Sequence, residues 1–229
     1  MRRGFTLPEM LVVIAIIAIL GFILFSAAQN MKASGKTAKA TANLRQIGVL
    51  MASYTADNNN CLPILLNWGG TWFPPWQYRL MEKAGIEADW NSTLYLASCF
   101  YDPLVKDPEQ HPYGGFGGND AIIIGLGGFP HKNCLSVFGQ DRGTPVSRIG
   151  SPNQKVVVAS AADAQGSRFK SSWYFHGEEW VAAGSGYTSC RPYPRYNGKT
   201  LCLFVDGNTE QLDTNKMDYA ARRKYFLRD

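Results

Sequence analysis

Few residues in this chain are placed to do chemistry. Glu9 stands one position before a run, residues 10–28, that carries no charge. A carboxylate at hydrocarbon depth costs about 2.5–3.5 kcal/mol at a helix centre and less toward its end, so Glu9 calls for a cationic partner. The three histidines, His111, His131 and His176, come without an HExxH, a G-x-S-x-G or a pair of CxxC motifs. The usual frames for zinc and triad hydrolysis are therefore missing. Asn197-Gly198-Lys199-Thr200 contains the GKT of a phosphate loop. Its leading glycine position is Tyr193, and a strand rather than a helix is expected to follow, which removes nucleotide binding. YGGFGGND (113–120) lacks dinucleotide spacing and reads as turns. Asp206-Gly207 reads as a turn after a strand. Calcium is the one metal alternative, through Asp206 or through Asp102, Asp107 and Asp120, whose spacing matches no calcium loop. No catalytic residue, metal ligand set or cofactor is expected.

Five cysteines, Cys61, Cys99, Cys134, Cys190 and Cys202, are an odd number. Outside the cytoplasm they allow at most two bridges and leave one thiol. Cys190 and Cys202 bracket Tyr196 and form the preferred pair, with reduced core cysteines as the alternative. Six tryptophans (Trp68, Trp72, Trp76, Trp90, Trp173, Trp180) suit an aromatic glycan groove or, as the expected reading, core packing and subunit contacts. Arg222, Arg223, Lys224 and Arg228 alternate with Asp213, Asp218 and Asp229, the pattern of a solvated face rather than a DNA contact.

The elements that must position these residues follow from length and patterning. The chain has 229 residues, 45% hydrophobic, 18% charged and 13% aromatic, enough for one domain and an appendage and too apolar for disorder. Of the net charge of +5, the first 58 residues hold +4, through Arg2, Arg3, Lys32, Lys36, Lys39 and Arg45 against Glu9 and Asp57. A nearly neutral remainder excludes a dedicated nucleic-acid-binding domain. Residues 10–28 have the length and composition of a membrane span, with Ile, Val and Leu on every face. A cleavable secretory signal ending at Ser26-Ala27-Ala28 is the competitor, against which stand the long apolar run and Glu9. Residues 29–42 read as a solvated helix or a packing face of small residues. Helical spacing continues through Leu44, Ile47, Met51 and Tyr54 and ends at Asp57-Asn58-Asn59-Asn60 and Pro63. One helix over 5–57 is ~80 Å long, its first half projecting and its second half docking on the body. Pro8 is tolerable in the first turn, while Gly21 and Gly35 soften the helix. Short strands are expected over 121–126, 156–159 and 201–205, with a final helix over 217–227.

The segment Gly4-Phe5-Thr6-Leu7-Pro8-Glu9, after two arginines and before the long aliphatic run, resembles the processing signal of type IV prepilins and type II secretion pseudopilins. The resemblance implies cleavage after Gly4 by a prepilin peptidase, methylation of the new amine on Phe5, and pairing of Glu9 with the amine of a neighbouring subunit. Such pairing is physically coherent, because each buried charge is far costlier alone. NLRQIGVLMASYTADNNNCLP (43–63) is similar to the helix end of a pilin-like subfamily whose body carries histidine, nine residues, then Asp-Gly. The matching positions are Tyr196, Asp206 and Gly207, with tyrosine in place of histidine.

The implied architecture is α+β and pilin-like, a long N-terminal helix packed on a small antiparallel sheet. Residues 1–4 would be the leader, 5–28 the transmembrane and assembly half, 29–58 the docking half and 59–229 the body. The implied role is a non-enzymatic subunit of a type IV pilus-like or type II secretion pseudopilus filament. Its partners would be homologous filament subunits, the prepilin peptidase, inner-membrane assembly machinery and membrane lipid, with no nucleic acid. The precursor would sit in the bacterial inner membrane with its body outside the cytoplasm, before joining a periplasmic or surface filament. The charge count alone points the other way, since cations after the span outnumber Arg2 and Arg3. A membrane-tethered module that binds a glycan or protein without polymerising is the alternative.

Overall fold

The computed structural model describes residues 7–63, 76–86, 99–105, 114–119, 122, 143–163, 170–171, 174–175, 177–183 and 190–227. The chain divides into two compact units, Met1–Lys39 and Ala40–Asp229. Helix α1, Leu7–Asp57, runs through both.

Within the first unit every side chain from 7 to 36 is exposed. The most apolar 18-residue window of α1 has a mean hydropathy of 3.0, and none of it is buried. A helix apolar on all faces satisfies its own backbone hydrogen bonds and presents only hydrocarbon outward, as a bilayer requires. By length and composition α1 is able to cross a membrane.

The second unit begins inside the same helix. Ala40, Asn43, Leu44, Ile47 and Met51 are buried at spacings of three and four, one stripe of a 3.6-residue period. The compact unit thus takes in the last turns of the expected docking half, from Ala40 on, and leaves 29–39 with the first unit. Asn59 and Asn60 stop the helix in left-handed conformation, at φ 54° and 58°. Asparagine tolerates that region best among residues with a Cβ. Asn58 Nδ2 also donates to the Tyr54 carbonyl at 2.8 Å. A short helix α2, Trp76–Lys83, follows Pro74-Pro75 and buries Trp76, Gln77, Leu80 and Met81; the sequence reading has no element there.

The sheet comprises β1 (Phe116–Asn119), β2 (Val156–Asp163), β3 (Lys170–Ser171), β4 (Tyr174–Phe175), β5 (Arg191–Pro192), β6 (Thr200–Phe204) and β7 (Thr209–Leu212). Two further helices are α3, Gly177–Ala183, and α4, Tyr219–Phe226. The main strand order is β4-β1-β2-β6-β7, and β3 and β5 also pair with β2. All pairings are antiparallel except β1 with β4, which is parallel.

Side-chain alternation divides the core between the two faces of the sheet. Leu201 and Leu203 of β6 join Ala40, Leu44, Ile47, Met51, Trp76, Leu80 and Phe100 on one face. Cys202 and Phe204 join Phe175, Trp180 and Phe226 on the other. A register shift between Val156 and Val158 lets both Val157 and Val158 face the α1 side, the effect of a bulge. Asp218 caps α4 by accepting the Ala221 amide at 2.7 Å. The architecture is α+β and pilin-like, with the end of a long N-terminal helix packed on a mainly antiparallel sheet.

Several local expectations change. Of residues 121–126 only Ile122 is described, and it is buried and helical rather than in a strand. Turn chemistry holds for Gly114 and Gly115, at φ 70° and 88°, but Phe116–Asn119 is a fully buried strand. A Cβ on Gly114 would run into the Phe100 carbonyl, so the glycine is there for close backbone approach. Trp76 and Trp180 are 0% and 2% exposed and pack edge-on against Phe100 and Phe226. These two are core residues and line no groove; the other four tryptophans lie outside the described residues.

Candidate functional site

Two regions carry the residues of interest, one in each compact unit. In the first, Glu9 lies in the first turn of α1 and is exposed. A carboxylate there faces the positive end of the helix dipole, and Pro8 beside it removes an amide that has no intrahelical partner. Gly4 and Phe5 lie outside the described residues.

In the second unit the degenerate motif forms one strand held between two tight turns. Tyr196 and Lys199 exchange backbone hydrogen bonds at 2.9 and 3.0 Å. Asn197 and Gly198 between them sit at φ 51° and 78°. Two central residues with positive φ make the mirror-image turn that suits a hairpin, and Asn-Gly is its strongest sequence cue. The GKT resemblance therefore falls in a hairpin turn and strand β6. At the far end Gly207 has φ 91°, and Asp206 accepts the Asn208 amide at 3.0 Å and its side-chain nitrogen at 2.6 Å. That turn lies against α1: a Cβ on Gly48 would be 3.1 Å from Leu203 Cδ1 and 3.7 Å from Gly207 Cα.

Tyr196 points into the core. Its hydroxyl donates to Asp102 Oδ1 at 2.5 Å, the Leu104 amide donates to the same oxygen at 2.9 Å, and Arg195 Nη1 donates to Oδ2 at 3.3 Å. The Arg195 guanidinium also donates to the carbonyls of Gly115 (3.2 Å) and Ala161 (2.6 Å), tying the start of β1 to β2. Asp102 is 0% exposed. Burial pushes its carboxyl above the usual carboxylate range, with Arg195, Tyr196 and Leu104 pulling the other way. Burial and then the Asp102 charge push the Tyr196 phenol up, which keeps it a donor. Asn43 Nδ2 of α1 reaches the neighbouring Tyr101 carbonyl at 2.8 Å. Three donors, from Tyr196, Leu104 and Arg195, converge on the Asp102 carboxyl, so the cluster is a buried lock. Asp107 and Asp120 lie outside the described residues. Among the described residues no three His, Cys, Asp or Glu side chains converge as a metal site would need.

The preferred cysteine pair is not joined: Cys190 and Cys202 are both thiols. Cys202 lies opposite Ala159 and Arg191 opposite Ala162 along β2, which puts Cys190 at the level of Asp163 and offsets the two cysteines by about 13 Å at ~3.3 Å per residue. A disulfide spans at most ~7 Å between Cα atoms. Burial, and then Glu210, push the Cys202 thiol up, and burial pushes Cys99 up to about 11, so both stay protonated and unreactive at neutral pH.

Residues 1–25 match the prokaryotic N-terminal methylation motif. The match takes in Gly4, Phe5, Glu9 and most of the apolar run. Together with the long apolar helix it is consistent with a type IV pilin-like protein. The match does not distinguish pilus from secretion pseudopilus. No curated protein and no solved structure matches the chain. The pilin-like N-terminus is legible in the sequence, whereas no motif shows that Asn43, Asp102 and Arg195 come together. Asn197-Gly198 was the available hairpin cue; no spacing links Asp102 to Tyr196, 94 residues away.

Proposed function

We propose that this chain is a structural subunit of a type IV pilus-like or type II secretion pseudopilus filament, assembled after cleavage behind Gly4. One observation carries the reading. The methylation motif over 1–25 opens onto a helix apolar on every face, in which Glu9 is the sole acid before Asp57.

Cleavage and methylation at Phe5 would create a cation at the edge of that helix. Glu9 of one subunit then neutralises the Phe5 amine of the next, and the partnership sets the axial register. Apolar area that leaves the bilayer is covered again by neighbouring helices in the filament core. The work is assembly rather than turnover, with a prepilin peptidase, homologous subunits and inner-membrane assembly machinery as partners. The precursor is anchored in the inner membrane with its body outside the cytoplasm, and no cofactor enters. The alternative of a tethered module with an aromatic binding groove is weakened by the burial of Trp76 and Trp180.

The test compares wild type with Glu9→Ala in the native host. Mass spectrometry of both should find chains beginning at methylated Phe5 in the membrane fraction, with the variant depleted from sheared filaments or crosslinked oligomers. Normal filament yield from Glu9→Ala overturns the assembly role. A wild-type chain beginning at Gln29 overturns prepilin processing altogether.

A further inference from the structure

The cations just beyond the apolar run take no part in the pairing of Glu9 with the Phe5 amine. Between Met10 and Ala56 the sequence contains no Asp or Glu, and its first three charges are Lys32, Lys36 and Lys39. All three are exposed on an unbroken helix. At ~100° per residue, spacings of four and three put them within about 60° of arc, on one face. They stand about 6, 12 and 16 Å beyond Ala28 at 1.5 Å per residue. The polar zone of a bilayer extends roughly 5–8 Å past each edge of the hydrocarbon. Side chains on a helix lean toward its N-terminus, here back toward the apolar run, and lysine stems are long enough to snorkel.

We propose that Lys32, Lys36 and Lys39 form a headgroup-binding face for anionic phospholipid, in the leaflet where the apolar run of α1 ends. The inference rests on the membrane-anchored precursor reading above. Charge complementarity identifies the occupant: the face carries three cations with no acid of its own helix nearby, and lipid phosphate is the anion that the adjoining span brings within reach. Distance grades the contact, with Lys32 inside the headgroup zone, Lys36 reaching it by leaning back, and Lys39 about one Debye length beyond it and the weakest of the three.

The full-length protein is reconstituted into vesicles of phosphatidylcholine alone or mixed with phosphatidylglycerol. The lysines are acylated with an uncharged reagent and quantified one by one by mass spectrometry. Lys216, 86% exposed on the body, is the internal control. Phosphatidylglycerol should protect Lys32 about fivefold, Lys36 less and Lys39 least, with high salt removing the protection and Lys216 unchanged. Equal labelling in both vesicles overturns the proposal. Protection that follows protein density instead of lipid charge also overturns it and assigns the face to a second copy of the chain. If the protein fails to float with either vesicle, the anchored precursor itself is wrong, an outcome distinct from a floating protein with unprotected lysines.

Discussion

Tyr196 occupies the place where the resembling subfamily carries histidine, and its hydroxyl reaches Asp102 Oδ1 at 2.5 Å inside the core. Removing that hydroxyl leaves a buried carboxyl one donor short, so Tyr196→Phe should cost about 1–3 kcal/mol in urea unfolding of the full chain in detergent. A loss of only a few tenths would mean that the aromatic ring, rather than the hydroxyl, matters at this position. Asp102 allows a test with a definite sign. Burial places its folded pKa above the unfolded value, so the folded state holds the proton more tightly. Its contribution to stability is then fully present below the unfolded value of about 4 and fades as pH rises through the folded value. Compared with Asp102→Asn, which does not titrate, wild type should lose relative stability from pH 4 to pH 7. A relative gain would show that Arg195 and Tyr196 outweigh burial.

The last turns of α1 show what an element contributes beyond its own hydrogen bonds. Ile47 is 0% exposed between helix and sheet, and Ile47→Ala should cost about 2–5 kcal/mol by the same unfolding assay. One residue on, Gly48 makes the opposite demand. Alanine there needs only the tip of Leu203 to yield and improves helix propensity, whereas Gly48→Leu should overpack the contact with Gly207 and cost about 1–3 kcal/mol. A fully stable Gly48→Leu would show that the turn moves freely from the helix. This helix was readable in advance because Leu44, Ile47 and Met51 repeat at its own period and a run of asparagines ends it. Strand β1 was not: Phe116-Gly117-Gly118-Asn119 has no alternation and two glycines, and its strand is imposed by pairing with β2 and β4. Helix α2 hid among aromatic residues. The Asp102 cluster was hidden for another reason, since a contact across 94 residues leaves no periodic trace.

At the scale of the whole molecule, the first 58 residues hold both most of the net charge and the methylation motif, while the rest of the chain is nearly neutral and supplies the sheet. The boundary between the compact units nevertheless lies between Lys39 and Ala40, inside a continuous helix, rather than at the helix end near Asp57. This boundary decides where the chain can be severed. A fragment starting at Ala40 keeps Leu44, Ile47 and Met51 and should express as a monomer with a cooperative melt. One starting at Asn59 uncovers Trp76, Leu201 and Leu203 and should aggregate. A soluble, cooperatively melting fragment from Asn59 would refute this. Shedding by proteolysis anywhere in the exposed helix before Lys39 would likewise release an intact body, so a cell could retain or discard the anchor without unfolding what it carries.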